Sequence, residues 1–242
     1  MTEVRTYDSL DALSRAAADE LIAIARDAIA ARGTCSIALS GGSTPKRLFE
    51  LLAARGPSTL PWNDVDLWWG DERCVPPDHA DSNYRMAREA LIDPLGLQRV
   101  HRMRGEDSDH DAAALAYERE LIAALGTPPV LDYVMLGMGA DGHTASLFPH
   151  SPGLDERVRW VIANPIGGDR VRLTLTVPAI LAARNIRFLV AGADKAAALH
   201  AVLDGPSDPH TYPSQFIAER AVWLVDHAAA ARLSRAPATP PA

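Results

Sequence analysis

Four times along this chain a short apolar run breaks off at once into a polar turn that carries glycine. Cys35–Leu39 runs into Ser40-Gly41-Gly42-Ser43-Thr44-Pro45, and Val65–Trp69 into Gly70-Asp71-Glu72-Arg73. The run 130–136 gives way to Gly137-Met138-Gly139-Ala140-Asp141-Gly142-His143-Thr144-Ala145-Ser146, and 186–191 to Gly192-Ala193-Asp194-Lys195. Apolar runs of this length read as strands buried on both faces. Helical patterns stand between several of them, which predicts crossover units and a mainly parallel sheet covered on both sides, an α/β architecture. In open sheets of that kind, ligands bind outside the carboxyl ends of the strands. All four polar turns fall at such ends.

The elements between them can be placed by periodicity and caps. Ser9 or Asp11 caps a helix to about Arg32, with Leu10, Leu13, Ala17, Leu21, Ile24 and Ile29 at helical spacing and Gly33 as its stop. Pro45 suits the first position of a second helix that ends near Gly56. Asp81 or Ser82 caps a third to about Ile92, 93–108 is irregular, and a fourth helix covers 109–125. A strand is expected at 159–163. Residues 170–177 alternate, with Arg170, Arg172, Thr174 and Thr176 on one face and Val171, Leu173, Leu175 and Val177 on the other. A helix from about Lys195 to Leu203 and a strand at 222–225 complete the pattern. No internal repeat or linker interrupts it, so residues 1–232 read as one domain. Residues 233–242 form a Pro/Ala-rich tail expected to be flexible.

Composition narrows the function classes. At 242 residues and 48% hydrophobic, the chain can bury a substantial core. A net charge of −7 argues against a nucleic-acid partner, though a few local cations suffice for a small anion. No apolar stretch reaches 18 residues, so no membrane helix is expected, and the first ten residues lack the apolar core of a signal peptide. Cys35 and Cys74 are too few for a disulfide scaffold and fit a reduced, cytoplasmic setting. The eight histidines form no recognised metal-ligand spacing, and His101, His110, His150, His200, His210 and His227 read as surface residues. Trp62, Trp68 and Trp69 read as packing.

The chemistry is concentrated in the turns. The 40–44 turn can bind an anion on free helix N–H groups, with Gly41 and Gly42 allowing close approach and Ser43 and Thr44 offering hydroxyls. Read alone, it serves equally as a capped helix start. Asp71, Glu72 and Arg73 alone read as a solvated salt-bridge cluster. Asp141 and His143, two residues apart on a glycine-rich loop, can face one cavity. Arg172, with Arg170 as its rival, and Lys195 are the cations placed to meet an anion. A lysine at a helix N-terminus is mildly misplaced unless something negative binds there. Ser146 has no G-x-S-x-G frame, which argues against a nucleophile-elbow hydrolase.

Taken in order, ALSGGSTPKRLFELL (38–52), WWGDERCVPPDHADSNYRMAREAL (68–91), LDYVMLGMGADGHTASLFP (131–149), RVRLTLTVPAIL (170–181) and VAGADKAAAL (190–199) resemble the 6-phosphogluconolactonase family. The resemblance implies a three-layer α/β/α, Rossmann-like fold shared with the glucosamine-6-phosphate isomerase group. It implies hydrolysis of 6-phospho-D-glucono-1,5-lactone in the oxidative pentose phosphate pathway, without metal or organic cofactor, by a monomer or weak homodimer. It assigns the catalytic imidazole to His143, its companion acid to Asp141 and a loop arginine to Arg73. The phosphate falls to Gly42, Ser43, Thr44, Arg172 and Lys195, and Gly41, Asp71 and Gly139 line the remaining pocket. Two rival readings stand beside it. One is a glucosamine-6-phosphate deaminase/isomerase using Asp71 or Glu72 as its base; the other is a non-catalytic sugar-phosphate sensor.

Overall fold

A computed structural model of the protein describes residues 2–234. The chain order is β1 (Glu3–Tyr7), α1 (Leu10–Arg32), β2 (Cys35–Leu39), α2 (Ser43–Ala54), β3 (Val65–Trp69), β4 (Asp71–Arg73) and α3 (Asn83–Ala87). A π-helical turn, Arg88–Ile92, leads into α4 (Asp93–Leu95), α5 (His110–Leu125), β5 (Tyr133–Leu136), β6 (Val161–Pro165), β7 (Val171–Leu175) and α6 (Val177–Leu181). The chain then runs through β8 (Asn185–Val190), α7 (Ala196–Leu203), β9 (Val222–Asp226) and α8 (His227–Ala230).

Six strands form one parallel sheet in the order β1-β9-β8-β5-β2-β3, with helices on both sides. β2 and β5 are buried at every position, which is why neither alternates in polarity. The registers Leu39↔Trp69, Ala38↔Val134 and Leu136↔Phe188 bring the carboxyl ends of β2, β3, β5 and β8 to nearly one level. α1 packs on α2 and on the sheet. Its start is capped by Ser9, whose Oγ accepts from Ala12 N–H, and Gly33 ends it at φ 82° while donating to Ile29 O at 2.8 Å. Trp62, Trp68 and Trp69 belong to the core, and Phe188 stacks on Trp223 at 3.8 Å. Leu233 also packs on the core, and Ser234 N–H donates to Asp204; the Pro/Ala-rich tail from 235 lies outside the described residues.

Several features depart from the expectations of the sequence. β1 was not foreseen: Glu-Val-Arg-Thr-Tyr is a half-exposed edge strand, and its charges mask the apolar signal. Only Gly70 makes the expected turn after β3; Asp71–Arg73 is itself a strand, antiparallel to β7. With β6, which lies two residues later than the expected 159–163, these strands form a second, three-stranded antiparallel sheet. The polar face of 170–177 does not meet water along its length: Thr174 and Thr176 are wholly buried. Thr176 Oγ1 donates to Arg159 O and caps α6, and Thr174 Oγ1 accepts from Ser146 N–H. His101 is not a plain surface residue either. It stacks on Trp68 at 4.0 Å, with its ring nitrogens 2.6 Å from Glu120 and 3.0 Å from Asp66.

Glu72 fixes the second sheet to α3. Its carboxylate is 3% exposed and accepts from the N–H groups of Arg73, Asn83 and Tyr84 at 2.7–2.8 Å, and from Ser82 Oγ at 3.1 Å. It therefore caps the helix start across the loop 74–82 and makes none of the salt bridges its neighbours suggested. Burial raises its pKa above the usual glutamate value, and the three N–H donors oppose the rise.

Glu72→Ala should strand four donors, of which those of Ser82 and Asn83 are buried and cost ~1–3 kcal/mol each when unpaired. The expected loss is at least ~2 kcal/mol in the urea unfolding free energy, and a change below ~0.5 kcal/mol would reject the role. Because the folded-state pKa lies above the unfolded one, the folded state binds this proton more tightly. The contribution of Glu72 to stability is then greatest in acid and declines as pH rises through the window between the two values. The unfolding free energy of the wild type relative to Glu72→Gln should fall as pH rises through that window, and a difference independent of pH would reject the shift.

Candidate active site

The four polar turns meet in a cleft of about 270 Å³ at the carboxyl ends of β2, β3, β5 and β8. Seven residues singled out in the sequence line it: Gly41, Gly42, Asp71, Arg73, Gly139, His143 and Lys195. A larger cleft of about 520 Å³ borders the segment 152–165. There Arg159 Nε pairs with Glu118, and Glu156 accepts from the N–H groups of Val158 and Arg159.

The loop after β5 holds the imidazole. Asp141 Oδ1 lies 2.6 Å from His143 Nδ1 and accepts from the His143 backbone N–H at 3.2 Å. This contact holds Asp141 below the usual aspartate range, against the opposing effect of partial burial. With Nδ1 occupied, Nε2 is the ring nitrogen left for chemistry, and the ring is stacked on Phe148 at 4.1 Å. Gly139 is needed here because a Cβ at that position would overlap both the His143 ring and the Asp141 carboxylate. Gly142, at φ 80°, turns the loop against Tyr212 and accepts from Ser214 N–H at 2.9 Å. Ala145 lines the cleft at φ 46°, a left-handed conformation that costs a non-glycine residue about 1–2 kcal/mol. Flanking anchors maintain it: Thr144 Oγ1 donates to Gly137 O, and Ser146 N–H donates to Thr174 Oγ1.

The loop after β2 brings the start of α2 to the cleft. Gly42 is its N-cap and supplies no side chain, so the first N–H groups remain for a ligand. Pro45 has none to offer. The hydroxyls are placed less favourably than expected. Ser43 is exposed, Thr44 is buried, and neither lines the cleft.

From the β3 side come Asp71 and Arg73, with Asn83 between them and Gly41. A Cβ at Gly41 would collide with the Asn83 amide. Arg73 Nη1 donates to Asp81 O at 2.6 Å. Arg172 does not line the cleft, but it is the direct cross-strand partner of Arg73. Like charges placed opposite each other are unfavourable. Burial and then Arg73 lower the Arg172 pKa, and Asp71 opposes them. Arg73 in the cleft lining, with Arg172 beside it on the paired strand, gives a local positive charge that suits an anionic ligand. Lys195 reaches the cleft from the β8 side, 3.1 Å from Asp194.

Ser40, Gly137, Met138 and Ala145, which lie within the polar turns read from the sequence, also line the cleft, and so does Asn83, which the sequence did not single out. Asn83 sits beside an evident helix cap, and nothing in its sequence context shows that the chain folds it back under Asp71. Among the described residues no group of three or more His, Cys, Asp or Glu side chains could hold a metal ion, and no helix is long and apolar enough to cross a membrane.

The family model "Glucosamine-6-phosphate isomerases/6-phosphogluconolactonase" matches residues 8–225. A 6-phosphogluconolactonase of Synechocystis is 44% identical over 85% of this chain and 88% of its own length. One from Mycobacterium tuberculosis is 40% identical over 96% and 98%. The solved 6-phosphogluconolactonase of Trypanosoma cruzi superposes with a TM-score of 0.86 at 32% identity, covering 97% of this chain and 98% of that one. A monomeric glucosamine-6-phosphate deaminase shares the fold, with a TM-score of 0.80 at 21% identity over 95% and 99%. The chain is thus a member of the glucosamine-6-phosphate isomerase/6-phosphogluconolactonase family.

Proposed function

We propose that the protein hydrolyses 6-phospho-D-glucono-1,5-lactone to 6-phospho-D-gluconate, a step of the oxidative pentose phosphate pathway, with His143 as the base that activates water. The observation that carries this reading is the Asp141–His143 contact at 2.6 Å, in a cleft that also holds a helix N-terminus and arginine and lysine side chains. A lactone needs a water made nucleophilic and a place for the charge that forms on its carbonyl oxygen. Imidazole changes protonation near neutral pH and suits the first task. Asp141, bound at Nδ1, directs the basic nitrogen Nε2 to the cleft and offsets the charge on the ring once it is protonated.

Nε2 takes a proton from water, and the oxygen adds to C1 of the lactone. The resulting oxyanion is stabilised next to Arg73. The backbone of the 137–143 loop is less available for this, because Gly139, Gly142 and His143 N–H groups are already committed within it. Collapse breaks the bond from C1 to the ring oxygen, which takes the proton from Nε2 and becomes the C5 hydroxyl. The phosphate is assigned to the α2 start at Gly42-Ser43-Thr44, with Arg172 and Lys195. Binding at that distant end orients the reacting carbon.

His143→Ala should lower kcat about 10²–10⁴-fold, towards the spontaneous rate, with folding intact. Asp141→Asn should lower kcat by less. An unchanged kcat in His143→Ala would defeat the base assignment. Release of ammonia from glucosamine 6-phosphate without lactone hydrolysis would favour the deaminase rival, and binding of 6-phosphogluconate without turnover would favour a sensor.

Arg172→Ala and Lys195→Ala each remove a charge-assisted contact worth ~1.5–3 kcal/mol, so each should raise KM about tenfold or more while largely sparing kcat. A wild-type KM in steady-state assays would reject the phosphate role.

A further inference from the structure

Ser146 has no part in the mechanism above, yet its hydroxyl makes one of the shortest hydrogen bonds to a cleft residue. Ser146 Oγ donates to Asp71 Oδ2 at 2.6 Å. Both side chains are buried, Ser146 at 1% exposure and Asp71 at 6%. The bond joins residues 75 positions apart in sequence, one in the loop after β5 and one at the start of β4. Ser146 is held on its other sides as well. Its N–H donates to Thr174 Oγ1 at 3.2 Å, and its carbonyl accepts from Asn164 Nδ2 at 2.8 Å. Asn164 is itself wholly buried, with its Oδ1 taken by Gly153 N–H. A hydroxyl with one proton, on a backbone fixed in this way, can direct that proton to a single acceptor.

The consequence falls on the other oxygen of Asp71. Oδ1 has Asn83 Nδ2 at 3.4 Å, at the far limit of a hydrogen bond, because that amide is aimed at the Asp71 backbone carbonyl at 2.9 Å. Asp71 lines the cleft. Its carboxylate thus has one oxygen bound behind it and one oxygen short of a donor. The donor that fits is a hydroxyl of the bound sugar.

We infer that Ser146 is a positioning residue, holding Asp71 so that its second oxygen accepts a hydrogen bond from one ring hydroxyl of the lactone, and that this pair sets the preference for a hydroxylated ring. The inference rests on the lactonase reading and adds the group that recognises the sugar. A site built to bond a hydroxyl rejects an analogue that lacks it, because its own polar atom is then left unpaired.

The test compares kcat/KM for the wild type, Ser146→Ala and Ser146→Cys on 6-phosphogluconolactone and on its 2-, 3- and 4-deoxy analogues. The wild type should disfavour one analogue by about tenfold or more relative to the parent. Ser146→Ala should bring that ratio within about threefold by losing rate on the parent while retaining the rate on that analogue. Ser146→Cys, with a weaker donor of similar shape, should fall between them, and it decides the matter if the alanine variant does not fold. Equal losses on all four substrates, which a merely structural role would produce, overturn the inference. So does a wild type that treats the three analogues alike. A wild type that hydrolyses the lactone while showing either result leaves the function reading standing and removes only this inference. A wild type with no lactonase activity removes both.

Discussion

The structure depends on the registered pairing of buried parallel strands. β8, β5, β2 and β3 lie side by side and end at nearly the same level, so loops beginning at residues 40, 70, 137 and 191 open onto one cleft. A one-residue slip in a strand would turn its side chains to the opposite face. Burial on both faces makes that slip costly and holds the loops to a common edge. The second, antiparallel sheet works on this foundation: β7 pairs with β4, placing Arg172 across from Arg73 and Thr174 beneath Ser146.

Adjacent carboxylates show how the fold divides similar groups between tasks. Asp71 and Glu72 are neighbours on β4, so their side chains point to opposite faces. Asp71 faces the cleft. Glu72 faces inward and accepts four hydrogen bonds that fasten α3 and the loop before it. The acid that meets the cleft is thereby separated from the acid that holds the framework. Asp141 is a third case, with its pKa lowered by the imidazole it orients.

Glycine has a similar double use at the site. Gly41 and Gly139 are not required for positive φ angles. They leave room for side chains that fold back against the backbone, Asn83 over Gly41 and the His143–Asp141 pair over Gly139. The density of glycine in these turns was visible in the sequence, but the neighbour each one admits was not, because Asn83 lies 42 positions from Gly41 and a local pattern carries no information about such contacts.

What the sequence determined by itself was everything encoded locally: the buried strands, the caps of α1 and α3, the turn at Gly42, and the two-residue spacing of Asp141 and His143, while their contact came only with the folded loop. Three-dimensional packing decided the rest. It made a strand of Asp71–Arg73, added the charged edge strand β1, buried the apparently polar face of β7, and left Ser43 and Thr44 off the cleft lining while bringing Asn83 into it. The physical reason is common to all of these. Periodicity reports which side of an element meets apolar surroundings, but a polar side chain buried by a distant loop is satisfied by hydrogen bonds whose partners only the folded topology selects.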